Sequence, residues 1–132
     1  MSKEDAIISN ACKKLNILIA EDDDVSLELL KTLLSDMANK LFIAKNGKEA
    51  INIYENNPEI NLILMDIKMP EMDGLEAAKQ IRKLDKKIPI IAQTAFAIKG
   101  NKEEALKAGF NNYITKPLKT ADLLKIIEDV NI

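Results

Sequence analysis

The chain has 132 residues, 47% hydrophobic and 30% charged, and its 19 Lys and Arg against 21 Asp and Glu leave a formal charge of −2. This composition suits one globular domain with a core of ordinary size and supplies no basic patch for nucleic acid. The apolar runs are too short to span a bilayer or carry a basic amphipathic membrane segment, and the start, with Glu4 and Asp5, is no signal peptide.

Residues 1–15 show no periodic pattern and are expected to form a tail or an interdomain linker ahead of a domain over 16–132. Their Cys12 is the only cysteine, which permits no internal disulfide and fits a reducing compartment. Five short apolar runs then recur, at 16–20, 41–44, 61–65, 88–92 and 112–114, and read as strands. Between them lie segments with helical spacing. Val25, Leu29 and Leu33 repeat every fourth residue, with Leu30 and Leu34 beside them, and Asp23 or Asp24 is placed to cap that helix. Ala50 and Tyr54 mark a second helix, and Leu75, Ala78 and Ile81 a third. Ala105, Leu106 and Ala108 mark a fourth, stopped by Gly109, and Leu123, Leu124, Ile127 and Val130 a fifth.

Strict alternation of strand and helix predicts an α/β fold with a parallel sheet covered on both faces. Five such units in this length match a doubly wound, flavodoxin-like (βα)5 three-layer sandwich with strand order 2-1-3-4-5. Ligands in such sheets bind beyond the carboxyl ends of the strands. At those ends stand Glu21-Asp22-Asp23-Asp24, Asp66, Thr94 and Lys116-Pro117.

No histidine occurs anywhere, which excludes Ser-His-Asp and Cys-His catalysis and His-ligated metal sites. Chemistry must come from carboxylates, hydroxyls, lysines and a hard metal. Asp66, after the apolar run Leu62-Ile63-Leu64-Met65, is placed as a nucleophile that holds an acyl phosphate. An anionic nucleophile approaching an anionic phosphoryl group needs charge neutralisation. A Mg²⁺ held by Asp66, Asp22, Glu21 and the backbone carbonyl of Lys68 would provide it. Lys116 adds a point charge and Thr94 a hydroxyl donor to the phosphoryl oxygens. Taken singly, each of these residues has a plainer reading as cap, turn, strand former or solvated charge; their coincidence at one sheet edge favours the chemical one.

The motifs ILIAEDD at 17–23, LILMDIKMPEMDG at 62–74, AQTA at 92–95 and YITKP at 113–117 together resemble the response-regulator receiver family over roughly residues 16–130. The resemblance implies Asp66 as phosphoacceptor in a two-component phosphorelay, served by a partner histidine kinase or histidine phosphotransfer protein. It implies Glu21 and Asp22 as the acidic pair around Mg²⁺, Lys116 as the phosphate contact, and Thr94 and Tyr113 as the switch pair. Lys68 and Phe96 match the positions that tune phosphoryl lifetime, and slow autodephosphorylation is expected. The segment from Ala92 to Leu118 looks like receivers attached to hybrid histidine kinases, although Ser26 stands where many of them carry Asn. The implied domain is no independent enzyme; it assists its own phosphorylation and dephosphorylation. It does not itself bind DNA or membrane and is cytoplasmic, even if a hybrid-kinase parent were membrane-anchored.

A second class is a haloacid-dehalogenase-like phosphohydrolase. Asp22-Asp23-Asp24-Val25 fits its D-x-D-x-[TV] pattern, with Asp22 as nucleophile and Asp24 as acid/base. That reading leaves MDIKMPEMDG without a role. A third, a flavodoxin-like nucleotide binder, conflicts with the acidic, glycine-free loop after the first strand.

Overall fold

The computed structural model describes residues 15–94, 101–116 and 119–129. Five parallel strands, β1 (Asn16–Ala20), β2 (Lys40–Ala44), β3 (Leu62–Asp66), β4 (Ile90–Thr94) and β5 (Asn112–Thr115), alternate with α1 (Asp24–Leu34), α2 (Gly47–Asn56), α3 (Gly74–Leu84), α4 (Asn101–Ala108) and α5 (Thr120–Asp129). The sheet order is β2-β1-β3-β4-β5, as the alternation predicts.

The central strands are apolar throughout because both their faces are covered. Ile17, Ile19, Leu62, Leu64 and Ile91 face a core shared with Leu27, Leu30 and Leu34 of α1 and Leu123 and Leu124 of α5. The alternate residues Leu18, Ala20, Ile63, Met65, Ile90 and Ala92 face a second core, shared with Ala50 of α2, Ala77, Ala78 and Ile81 of α3, and Ala105 and Ala108 of α4. Side chains alternate across a strand, so one run feeds two cores. Leu15, the last residue of the expected tail, is also fully buried and belongs to the core.

The α1 stripe differs from the expected one. Asp23 is the N-cap, its carboxylate accepting the Ser26 N–H at 2.8 Å, and this sets the helix phase. The buried face is Leu27, Leu30 and Leu34, whereas Val25 is 80% and Leu29 45% exposed. Leu106 is likewise exposed on α4, with Ala105 and Ala108 turned inward. On α5 the buried residues are Leu123, Leu124 and Ile126; the side chain of Ile127, and Val130, lie outside the described residues.

Candidate acidic site at the strand ends

The register of the sheet assembles the site. β1 pairs with β3 through Ala20 and Met65, and β3 with β4 through Asp66 and Gln93. Glu21 and Asp66 therefore emerge side by side at the carboxyl end. Glu21 is held in line by its N–H, which donates to the Ala44 carbonyl at 3.0 Å. Its carboxylate turns inward, is fully buried and accepts the Asp23 N–H at 3.2 Å. Asp66 is 7% exposed. Asp22 stays exposed at the rim, and one carboxylate oxygen from each of Glu21, Asp22 and Asp66 lies within 4.8 Å of the others.

Lys116 closes the cluster from β5. Its backbone N–H donates to the Thr94 carbonyl at 2.7 Å, which anchors the root of the side chain beside β4. Its ammonium donates to Asp66 Oδ2 at 3.0 Å and also to Glu21 Oε1. The other oxygen of Asp66, Oδ1, accepts the Lys68 backbone N–H at 3.2 Å.

The electrostatics follow from this packing. Burial pushes the Glu21 carboxyl above its ordinary range, against the lowering effect of the Lys116 bond, and the nearby Asp66 adds to the rise. Burial disfavours the Lys116 ammonium, yet its bonds to Glu21 and Asp66 outweigh that and hold its pKa above the usual lysine value. Three carboxylates against one ammonium leave a net negative cradle of hard oxygen donors. Such a donor set suits Mg²⁺, which favours carboxylate and water oxygens. Glu21, Asp22 and Asp66 are the residues that would hold the ion.

The loop after Asp66 is locked from below. Gly74 N–H donates to the Ile67 carbonyl at 2.8 Å, and a Cβ on Gly74 would lie 2.2 Å from the Asp66 carbonyl oxygen. Glycine is therefore required there for the loop after Asp66 to pack on α3. Thr94, buried at the end of β4, lines a cleft of about 360 Å³ together with Ile67, Lys68, Met69, Asp73, Leu75 and Glu104. Tyr113 is half-buried and pairs laterally with Ala92, so it lies on the same sheet face as Thr94, two residues further along β4.

The structure thus brings Glu21, Asp22, Asp66 and Lys116 together, with the Lys68 backbone beside them and Thr94 at the adjoining strand end. Phe96 and Pro117 lie outside the described residues. Asp24, the acid/base of the phosphohydrolase reading, pairs instead with Lys45 at the exposed first turn of α1. Sequence reasoning did not single out Gln93, although it lies within AQTA; its signal was an amide inside an otherwise apolar strand.

The family model of the response regulator receiver domain matches residues 17–128. A hybrid signal transduction histidine kinase I of Dictyostelium discoideum is 41% identical over 119 residues, covering 84% of this chain and 7% of that protein's length. Two solved structures are similar over most of the chain. One is the Saccharomyces cerevisiae co-crystal of a histidine phosphotransfer signalling protein and the receiver domain of its downstream response regulator, with 36% identity, TM-score 0.80 and 88% of each chain covered. The other is the receiver domain of a Pseudomonas aeruginosa sensor histidine kinase with a magnesium ion coordinated in its active site cleft, with 33% identity, TM-score 0.79, and 87% of this chain and 95% of that one covered. The chain belongs to the response-regulator receiver family and is a receiver domain of two-component phosphorelay signalling. Among the described residues no helix is long and apolar enough to cross a membrane.

Proposed function

We propose that Asp66 is the phosphoacceptor of this receiver domain and that its donor is a phosphohistidine on a partner histidine kinase or phosphotransfer protein. The observation that carries the reading is Lys116 bridging the buried Glu21 and the near-buried Asp66, beside a third carboxylate. A carboxylate oxygen of Asp66 attacks phosphorus and forms a P–O bond. The P–N bond to the donor imidazole breaks, and its electron pair returns to the ring nitrogen. Lys116 then serves the phosphoryl oxygens, and the Lys68 N–H holds Asp66 in line. Asp22, Asp66 and Glu21, with the Lys68 carbonyl as a further ligand, would hold a Mg²⁺, which would supply positive charge for those oxygens. The relative with a magnesium ion in its active site cleft supports magnesium as the ion.

Thr94 and Tyr113 act as the switch pair. A phosphoryl group adds about two negative charges, enough to bias a two-state element. Lys68 and Phe96 set the phosphoryl lifetime, which is long. The domain works as a signalling module in the cytoplasm and is no independent enzyme; of the tail or linker expected over residues 1–15, all but Leu15 lies outside the described residues.

The exposed Val25 and Leu29 supply an apolar surface on α1, the helix that starts beside Asp22. The relative co-crystallised with a histidine phosphotransfer protein supports a partner of that kind for this domain, and the exposed α1 stripe beside the acidic site is where we place its docking. The test compares a phosphohistidine protein donor with acetyl phosphate. Leu29→Lys should slow transfer from the protein at least tenfold and leave labelling by acetyl phosphate unchanged. Equal slowing with both donors would sink the docking surface, and label persisting in Asp66→Asn would sink the acceptor.

A further inference from the structure

Gln93 is 2% exposed, and its Nε2 is the one buried side-chain atom among the described residues without a hydrogen-bond partner. A buried donor left unmade is expensive, and such an atom in a folded protein calls for a reason. Its place in the sheet supplies one. Ile19, Leu64, Ile91 and Ile114 face the core shared with α1 and α5. Two residues further on come Asp66 and Gln93 at the strand ends and Glu21 and Lys116 directly after β1 and β5, which continued alternation puts on that same face. Gln93 pairs laterally with Asp66 on β3 and with Ile114 on β5. Neighbouring strands lie about 4.8 Å apart, so the amide and the carboxylate are rooted side by side. Lys116, rooted directly after β5, must cross β4 to reach Asp66 on β3 and Glu21 at the end of β1. The spare amide therefore lies in the row that the Lys116 stem spans.

The free site commits Lys116 to two carboxylates. A phosphoryl group on Asp66 draws the ammonium toward its own oxygens. With the phosphoryl group on Oδ1, the oxygen beside the Lys68 N–H, Oδ2 is left as the acyl oxygen that the ammonium has given up, and Gln93 stands on the adjoining strand at the same level. We propose that Gln93 is a positioning residue whose amide N–H, unpaired in the free domain, is taken up by the Asp66 acyl oxygen when the phosphoryl group is in place. This rests on Asp66 being the acceptor.

The experiment titrates the ¹⁵N-labelled 132-residue chain, wild type and Gln93→Met, with beryllofluoride in the presence of Mg²⁺. Methionine keeps the length and volume of the side chain without a donor. Free Q93M should melt at a higher temperature than wild type, because the unmade bond is gone, yet bind beryllofluoride roughly 3–10-fold more weakly. The Gln93 side-chain amide signals, recognised by their absence in the variant, should move downfield and exchange more slowly on binding. Gln93→Leu gives the same comparison where Q93M does not fold. Equal affinities with an unmoved amide signal would overturn the inference while leaving Asp66 as acceptor. Failure of the wild type to bind beryllofluoride at all would overturn the acceptor reading, and this inference with it.

Discussion

Glu71 holds a φ of 63°, and among the described residues it is the only one other than glycine with a positive value. Met72 N–H donates to the Pro70 carbonyl at 2.7 Å and closes a three-residue turn around it. The turn is pinned on its far side, where Gly47 N–H donates to the Met72 carbonyl at 2.8 Å. An L-residue in the left-handed region costs roughly 1–2 kcal/mol, and glycine removes that cost at the expense of unfolded-state entropy. Glu71→Gly should therefore raise the unfolding free energy by roughly 0.5–1 kcal/mol. Glu71→Val should lower it by about 1 kcal/mol or more. Urea denaturation of the two variants checks the sign of each. At this scale the sequence reveals the charged site well, because Glu21 and Asp66 each follow an apolar run directly, with Asp22 next to the first and Lys116 directly after β5. It conceals Gln93 and Glu71. The role of the first depends on lateral register, and the strain at the second depends on a backbone angle that Glu does not announce.

Among the elements, α1 shows why helical spacing alone is ambiguous. Its Val-Ser-Leu-Glu-Leu-Leu-Lys-Thr-Leu-Leu run contains two overlapping stripes, and the Asp23 cap selects the one through Leu27. Strand β4 starts at Ile90 rather than Ile88 because Pro89 has no N–H for the ladder, although its carbonyl accepts from Ile63 at 3.0 Å. Helices α2 and α3 are tied by Tyr54, whose hydroxyl donates to Asp85 Oδ2 at 2.7 Å. That bond, with the N–H groups of Lys87 and Ile88, holds the Asp85 carboxyl below its ordinary range. A depressed carboxylate contributes stability above its unfolded pKa of about 3.9, and the contribution is lost as pH falls through the lower folded value. Burial, then Asp85, pushes the Tyr54 phenol up to about 12, so its contribution is complete below about pH 10 and fades toward 12. Tyr54→Phe should cost roughly 0.5–1.5 kcal/mol at pH 7. The gap to wild type should narrow below about pH 4 and again above about pH 10. Denaturation curves across that range measure it.

At the scale of the whole molecule, the βα alternation carries the architecture, since a parallel sheet with right-handed crossovers leaves few other arrangements. Two apolar cores hold the strands rigid, and the charged groups collect at the one end where side chains escape those cores. The acidic cradle works against the folded state, because Glu21 is buried and faces Asp66. Mg²⁺ should therefore raise the melting temperature in a concentration-dependent way, with about 2.7 kcal/mol gained at 100 times the dissociation constant. Asp22→Asn should remove most of that rise. The site's central claim is tested most directly by incubating the protein with acetyl phosphate and Mg²⁺, digesting it, and mapping the modified peptide by mass. One phosphoryl group on the peptide containing Asp66, absent in Asp66→Asn and retained in Lys45→Ala, is the expected result. Label on Asp22, or steady release of phosphate with Asp66 never modified, would contradict it.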